Sequence, residues 1–410
     1  NEQTDMGKNN VPEYRFPGIA GLSTVGLRIN SSKEWNNFST LSVYIRKGIE
    51  IKRLINDKGQ TVTSSNKGSH GVSSKGLGPT NNFAEIVHAL LTEKKFGLAG
   101  LIGVTSVDKD RLITAAKFCE ANEFYWDGVI ADKFNIRDFI YQNAVFNLLD
   151  FSIIGGKFSL FPSVPFNKNF EIDEKGKPTI RALFTDGNTR NLKVTFLSPE
   201  ERENFIGVAL YRVETTNGFP ETQSISLTSK AENKKNSVME KRPIETYDMS
   251  SFCTNDQHAR IFLQHVIKLR ELVDHGIMFE TTPQSALGLQ PGEYIRFISE
   301  TTHTQRFENG IITDDGFVQS VGNVDLDGKE IYYWKPGTEE VLTENNFEVE
   351  NHKTKQKKLF GSVFTIKDTD EQNRIYKIES LTYTEEGFIQ VSASHVPLLD
   401  DGSIATINYD

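Results

Sequence analysis

Cysteine is scarce: two in 410 residues, Cys119 and Cys253, far apart in the chain. That excludes a disulfide framework and a four-ligand zinc or iron–sulfur site, and two buried free thiols on apolar helices are expected instead. No run of about 18 apolar residues exists, so a membrane-spanning helix is not expected, and no basic-then-apolar start resembles a secretory signal. The first residue is Asn1 rather than methionine; the expectation is a piece of a longer chain. Clustered positive charge is missing too. With 46 Lys and Arg against 55 Asp and Glu, the formal charge is -9, which disfavours a surface built to hold nucleic-acid phosphates. The one basic run, Lys353 to Lys358, is short and reads as a solvated strand or loop edge.

Catalytic signatures are also absent. There is no G-x-S-x-G, no H-E-x-x-H and no Walker loop, and Lys75-Gly76-Leu77-Gly78 is too short to cradle a phosphate. Carboxylates pair at Asp314-Asp315, Asp325-x-Asp327 and Asp400-Asp401, but each pair adjoins a glycine (Gly316, Gly328, Gly402) and reads as turn chemistry. The stretch from Asp325 to Glu330 lacks the third oxygen ligand and the closing Glu of a calcium loop. His258 and His265 share one helix face, with His275 at the helix end. Without a partner three or four residues away they read as hydrogen-bonded or surface histidines rather than a ligand pair. Glu200, Glu201 and Glu203 follow Pro199 in a polar loop, with nothing to raise their acidity constants. The expectation is therefore no catalytic residue, no cofactor, no cofactor-binding residue and no metal ligand: a structural or binding protein, not an enzyme.

What the sequence does contain is ordinary globular material, 37% hydrophobic and 25% charged, enough for about two to four domains. Its organising stretch is Ile244 to Glu300. A Thr254-x-x-Gln257 capping box, an apolar stripe at Ala259, Phe262, Leu263, Val266 and Val273, and a closing Gly276 predict one long helix over 254–275. About 21 residues would extend on the order of 30 Å, able to lie across the width of a sheet. Strands follow over Ile277 to Thr282 and Glu293 to Ser299, with a type II turn at Pro291-Gly292.

Upstream, strands are expected over Ile19 to Ile29 and Leu41 to Ile51, then a long exposed Gly/Ser/Asn loop from Asn56 to Thr80. Asn82 caps a helix carrying Phe83, Ile86, Val87, Leu90 and Leu91 inward. Further helices run from about Asp108 to Ala121 and from about Ile136 to Leu149. Gly155-Gly156 supplies the positive-φ pair of a hairpin between Phe151 to Ile154 and Lys157 to Leu160. Proline-rich 162–178 looks like a crossing between domains, and Lys230 to Lys241 like a linker. Short strands are expected over 179–185, 191–197, 207–214, 310–313, 317–321, 330–334, 359–366, 374–383 and 387–395.

The order of these parts carries a resemblance. YRFPGIAGLSTVGLRINSS, NNFAEIVHALLTEKKFGLAG, RLITAAKFCEANEFYWDGVI and NAVFNLLDFSIIGGKFSLFP, followed by DQHARIFLQHVIKLRELVDHGIMFETTPQSALGLQPGEYIRF and RIYKIESLTYTEEGFIQVSASHVP, together resemble phage tail-tip and baseplate hub proteins. That family contains the lambda tip attachment protein J and gene transfer agent hubs. Glu293 stands where the family usually has Asp. The resemblance spans most of residues 14 to 400. It implies an α+β, multidomain fold: a β-rich tube-like domain with one long helix packed on the sheet, a small winged-helix-like helical domain and a β-rich bracing domain. The corresponding division is 1–80 for the first part of a β-rich hub domain with its long loop, 81–165 for the helical domain ending in a hairpin, 166–242 for the second part of the hub domain and a linker, and 243–410 for the tube-like domain.

The resemblance further implies a homotrimeric ring at the virion tail tip, assembled in the bacterial cytoplasm, that continues the tail tube and links it to host-recognition parts for attachment and genome ejection. Its partners would be the distal tail protein, the tail tube, the tape measure and receptor-binding fibres, with DNA passing through the lumen without specific binding. The alternative is a host-surface adhesin or carbohydrate-binding module of a virion, using Trp126, Tyr332, Tyr333 and Trp334 to stack sugars, although such residues in strands more often lie in cores.

Overall fold

The computed structural model describes residues 48–94, 96–101, 103–130, 134–197, 205–214, 220–228, 243–299, 309–320, 325–367 and 374–409. The chain divides into two compact units, Asn1–Ile45 and Arg46–Asp410, and the described residues all belong to the second. The strand expected over 19–29, most of that over 41–51, the linker over 230–241 and the Glu200 to Glu203 loop lie outside the described residues.

The fold is α+β. Strands β1 (Ile51–Lys52) and β2 (Leu77–Gly78) pair antiparallel, so the Gly/Ser-rich excursion between them leaves and returns at one place. Its base is tied to helix α1 (Phe83–Thr92) through Glu85. The Glu85 carboxylate accepts the N–H groups of Leu54 and Ile55 at 2.6 and 2.9 Å, Arg53 Nε at 2.7 Å and the Thr80 hydroxyl at 2.5 Å. A carboxylate without solvent must be compensated in this way.

Helices α2 (Lys109–Ala121) and α3 (Ile136–Phe146) follow, capped by Asp108 and Asn135. Hairpin β3 (Leu149–Ile154) and β4 (Lys157–Pro162) turns at Gly155 and Gly156, with φ of 57° and 75°, as a two-residue primed turn requires.

The rest is mainly sheet. The elements are β5 (Ile180–Thr185), β6 (Thr189–Phe196), β7 (Ile206–Glu214), β8 (Pro220–Thr228), β9 (Ile244–Asp248), helix α4 (Asp256–Leu272), β10 (His275–Thr281), β11 (Tyr294–Ile298), β12 (Asn309–Ile312), β13 (Val318–Ser320), β14 (Lys329–Trp334), β15 (Leu342–Phe347), β16 (Ser362–Ile366), β17 (Ile375–Tyr383) and β18 (Ile389–His395). They form a six-stranded sheet in the order β5-β11-β17-β18-β10-β6, a five-stranded sheet β13-β12-β16-β14-β15 and a three-stranded sheet β8-β7-β9. Strands β5 and β6 sit at opposite borders of the six-stranded sheet, yet only Asp186, Gly187 and Asn188 join them. Four chain steps span at most about 14 Å, so the sheet must curl until its borders meet at that end. There Asn188 N–H donates to Thr185 O at 3.1 Å and the Thr189 hydroxyl to Thr185 O at 2.7 Å.

Inside the curl pack Ala182, Phe184, Ile277, Phe279, Phe297, Ile378, Val391 and Ala393, capped by Trp334 and Val363 from the five-stranded sheet. Because β5 and β6 precede residue 243, the curled sheet is built from both sides of that position.

Three details of the long helix differ from expectation. Its cap is Asn255, whose side chain accepts Gln257 N–H at 2.9 Å. Thr254 instead donates its hydroxyl to Asp127 Oδ2 at 2.6 Å, a tertiary bond that no local pattern announces. The helix closes at Val273 and Gly276 belongs to β10, giving 17 residues, about 26 Å. Its apolar face, Ala259, Phe262, Leu263 and Ile267, enters a core shared with the helices and with Phe205, Ala209 and Tyr211 beside β7. Phe262 meets Phe146 of α3 at 5.0 Å between ring centroids. The helix therefore rests on the three-stranded sheet and the helical module rather than spanning the curled sheet.

Candidate functional site

A sheet border carries a row of backbone donors and acceptors that need partners. The two borders of the curled sheet are treated differently. On the β5 side, Val341 N–H donates to Ile180 O at 3.1 Å and the Arg181 guanidinium donates to Glu339 O at 2.6 Å and Glu293 Oε1 at 3.1 Å. On the β6 side no strand pairs beyond it among the described residues. Leu192 and Val194 face the interior, whereas Asn191, Lys193 and Thr195 are exposed. At its end Phe196 is 69% exposed and Leu197 43%. Arg190 holds the other end, bonding Glu280 at 2.8 Å and Glu386 at 2.5 Å with its guanidinium over the Phe388 ring.

Beside the exposed end of β6 lies a polar cluster. His275 pairs with Phe196 across the β6–β10 ladder, and one step past the Gly276–Ser394 pair it faces His395 on β18. Tyr376 on β17 pairs with His395 in turn. One row across four strands thus carries two histidines between two aromatic rings. The His275 and His395 rings stack at 4.6 Å and 20°. Asp274, in the link from α4 to β10, places Oδ1 2.6 Å from His275 Nδ1 and 2.9 Å from His395 Nδ1. His275 Nε2 lies 2.9 Å from the Tyr376 hydroxyl. Burial alone would raise the Asp274 carboxyl, but the hydrogen bond and charge of His275 and the charge of His395 outweigh it and hold the group below the usual carboxylate range. Burial pushes the Tyr376 phenol up, so it stays a neutral donor and acceptor.

A cavity of about 230 Å³ separates α4 from the curled sheet, lined among others by Phe262, His265, Leu269, Tyr294, Lys377 and Val396. Two of its charged groups pair with each other: Lys377 Nζ donates to Asp150 Oδ2 at 2.7 Å, and also to Ser163 O at 3.0 Å. Burial acts to lower the ammonium pKa, and Asp150 outweighs it. Burial lowers His265 to about 4, leaving it neutral.

The sequence candidates fall elsewhere. His258 is fully buried, bonds Phe146 O at 2.8 Å and stacks on Phe124. Neither it nor His265 joins His275, whose partners are the adjacent Asp274 and a histidine on a neighbouring strand. Only the alternation of β10 and β18 could have suggested that pair. The carboxylates serve turns: Asp315 accepts the Thr313 hydroxyl, Asp325 accepts Asp327 N–H, and Asp401 accepts Ser403 N–H at 2.9 Å. Lys355 is solvated and Lys358 pairs with Glu344, both in the β15–β16 loop. Both thiols are buried, and burial raises Cys253 to about 11; Cys253 precedes α4 rather than lying on it. Trp126, Tyr333 and Trp334 are buried, and Tyr332 lies under the Arg296 guanidinium, so none of the four presents an open stacking face.

No known protein-family pattern matches the chain, and no curated protein matches it. Among solved structures, the chain is similar to one from the virion of a native gene transfer agent particle, with 10% identity and a TM-score of 0.37 over 76% of this chain and 47% of that one. It is also similar to the tail protein from Neisseria meningitidis MC58, with 8% identity and a TM-score of 0.29 over 68% of this chain and 59% of that one. A third is the prophage MuSo2 43 kDa tail protein from Shewanella oneidensis, with 9% identity and a TM-score of 0.25 over 66% of this chain and 55% of that one. The chain thus spans about half the length of these structures.

Proposed function

We propose that this chain is a structural hub subunit of a bacteriophage-type tail tip or baseplate. Three copies close a ring that continues the tail tube, and the assembly joins it to the distal tail protein, tape measure and receptor-binding fibres. The observation that carries this reading is the curled sheet with one border covered internally and the β6 border left uncovered among the described residues. Such an object is completed by neighbours around an axis. The order of sequence motifs from residue 14 to 400 supports the same reading. Its tube-like domain is residues 243–410 together with Ile180–Phe196, with the helical module at 81–165 bracing it. The net charge of -9 suits a conduit that repels phosphates.

The test is sedimentation of the purified full-length chain, alone and with its tail partners. A trimer, or a complex with tail proteins, is expected, and Phe196→Lys is expected to weaken association at least about tenfold, or about 1.4 kcal/mol. A compact monomer that ignores tail proteins overturns the reading, as does glycanase or esterase activity. Retained glycans in a binding screen would favour an adhesin.

A further inference from the structure

We propose that Asp274, His275 and His395 form a binding site for one divalent transition-metal cation of the zinc type, whatever assembly the chain enters.

Three donors of the right chemistry converge on one point. Two imidazole Nδ1 atoms lie 2.6 and 2.9 Å from a single carboxylate oxygen, and the ligand atoms of the three residues all fall within 4.8 Å of one another. Neutral imidazole plus carboxylate is a donor set that zinc and its first-row neighbours accept, and three protein ligands leave a position for water. The Asp274 side chain is 37% exposed, so that position faces solvent. The histidine pair is fixed by the sheet itself, since cross-strand neighbours hold their Cβ atoms about 5 Å apart.

The surroundings also fit. An imidazole that binds metal through Nδ1 carries its proton on Nε2, and that proton needs an acceptor. For His275 the Tyr376 hydroxyl stands at Nε2, 2.9 Å away. With a metal on Nδ1, the His275 Nε2–H donates to the Tyr376 hydroxyl oxygen.

The full-length chain, stripped with a chelator and titrated with zinc chloride by calorimetry, is expected to take up one equivalent. Asp274→Asn and His395→Gln preserve size and should lose that uptake, whereas Tyr376→Phe should weaken it about 10- to 100-fold. Circular dichroism checks that the variants fold. X-ray absorption at the zinc edge on the wild-type chain keeps the test independent of them, since two imidazoles and at least one oxygen are expected around the metal. Absence of uptake, uptake unchanged in Asp274→Asn and His395→Gln, or a first shell without two imidazoles would each overturn the site. In any of those cases the cluster is a hydrogen-bonded clip between α4 and the sheet.

Discussion

Glu85 has no solvent exposure and receives four hydrogen bonds from Arg53, Leu54, Ile55 and Thr80. Removing the carboxylate takes the partner of Arg53 Nε at 2.7 Å and the acceptor of two backbone N–H groups, so Glu85→Ala is expected to cost about 3–5 kcal/mol. A denaturation midpoint shifted by less than that of an average surface mutation would contradict this account. The buried histidines set a pH dependence. Burial lowers His88, His258 and His265 from 6.5 to about 4. Between those values the unfolded chain binds protons that the folded chain does not, so their contribution is complete above pH 6.5 and is lost as pH falls toward 4. Each can contribute up to about 3 kcal/mol. Urea midpoints measured at pH 7 and pH 5 should therefore drop on acidification, and His258→Gln should flatten the slope.

At the scale of elements, caps and turns are where local chemistry and tertiary context part. Asn82, Asp108 and the Gly155-Gly156 turn behave as their sequence neighbourhoods demand. For α4 the local pattern nominates Thr254, but Asp127 takes its hydroxyl and Asn255 becomes the cap. Asn255→Ala is accordingly expected to cost about 1 kcal/mol. Thr254→Val should also destabilise, yet leave the isolated helix peptide unaffected, since its bond is to another segment. Circular dichroism of that peptide separates the two. Strands β8, β9 and β15 escaped the sequence reading because PETQSISLT, IETYD and LTENNF carry little apolar alternation. Their few apolar residues, Ile225, Leu227 and Tyr247 among them, do pack on a core, but pairing with a neighbour is what makes these segments strands.

At the scale of the whole molecule, three cores coexist: one under the helices and α4, one inside the curled sheet and one within the five-stranded sheet. Lys377–Asp150 joins the first two across the 230 Å³ cavity. Lys377→Met is expected to leave Asp150 without its partner, loosening the helical module from the sheet before either unfolds. Hydrogen exchange should show faster exchange in β3 and β4 while the strands lining the curl stay protected.

The amino-acid sequence by itself determined the class of protein: α+β, with amphipathic helices at α1 and α4, a glycine hairpin at 155–156, and no motif of covalent catalysis. Those features depend on residues within a few positions of one another, where periodicity and capping chemistry act directly. Only the tertiary structure decided that β5 and β6 close a curl with strands far later in the chain, that α4 leans on the helical module, and that His275 meets His395. Register between distant strands is set by which apolar faces can be buried together, and that is a property of the assembled core rather than of any window along the chain.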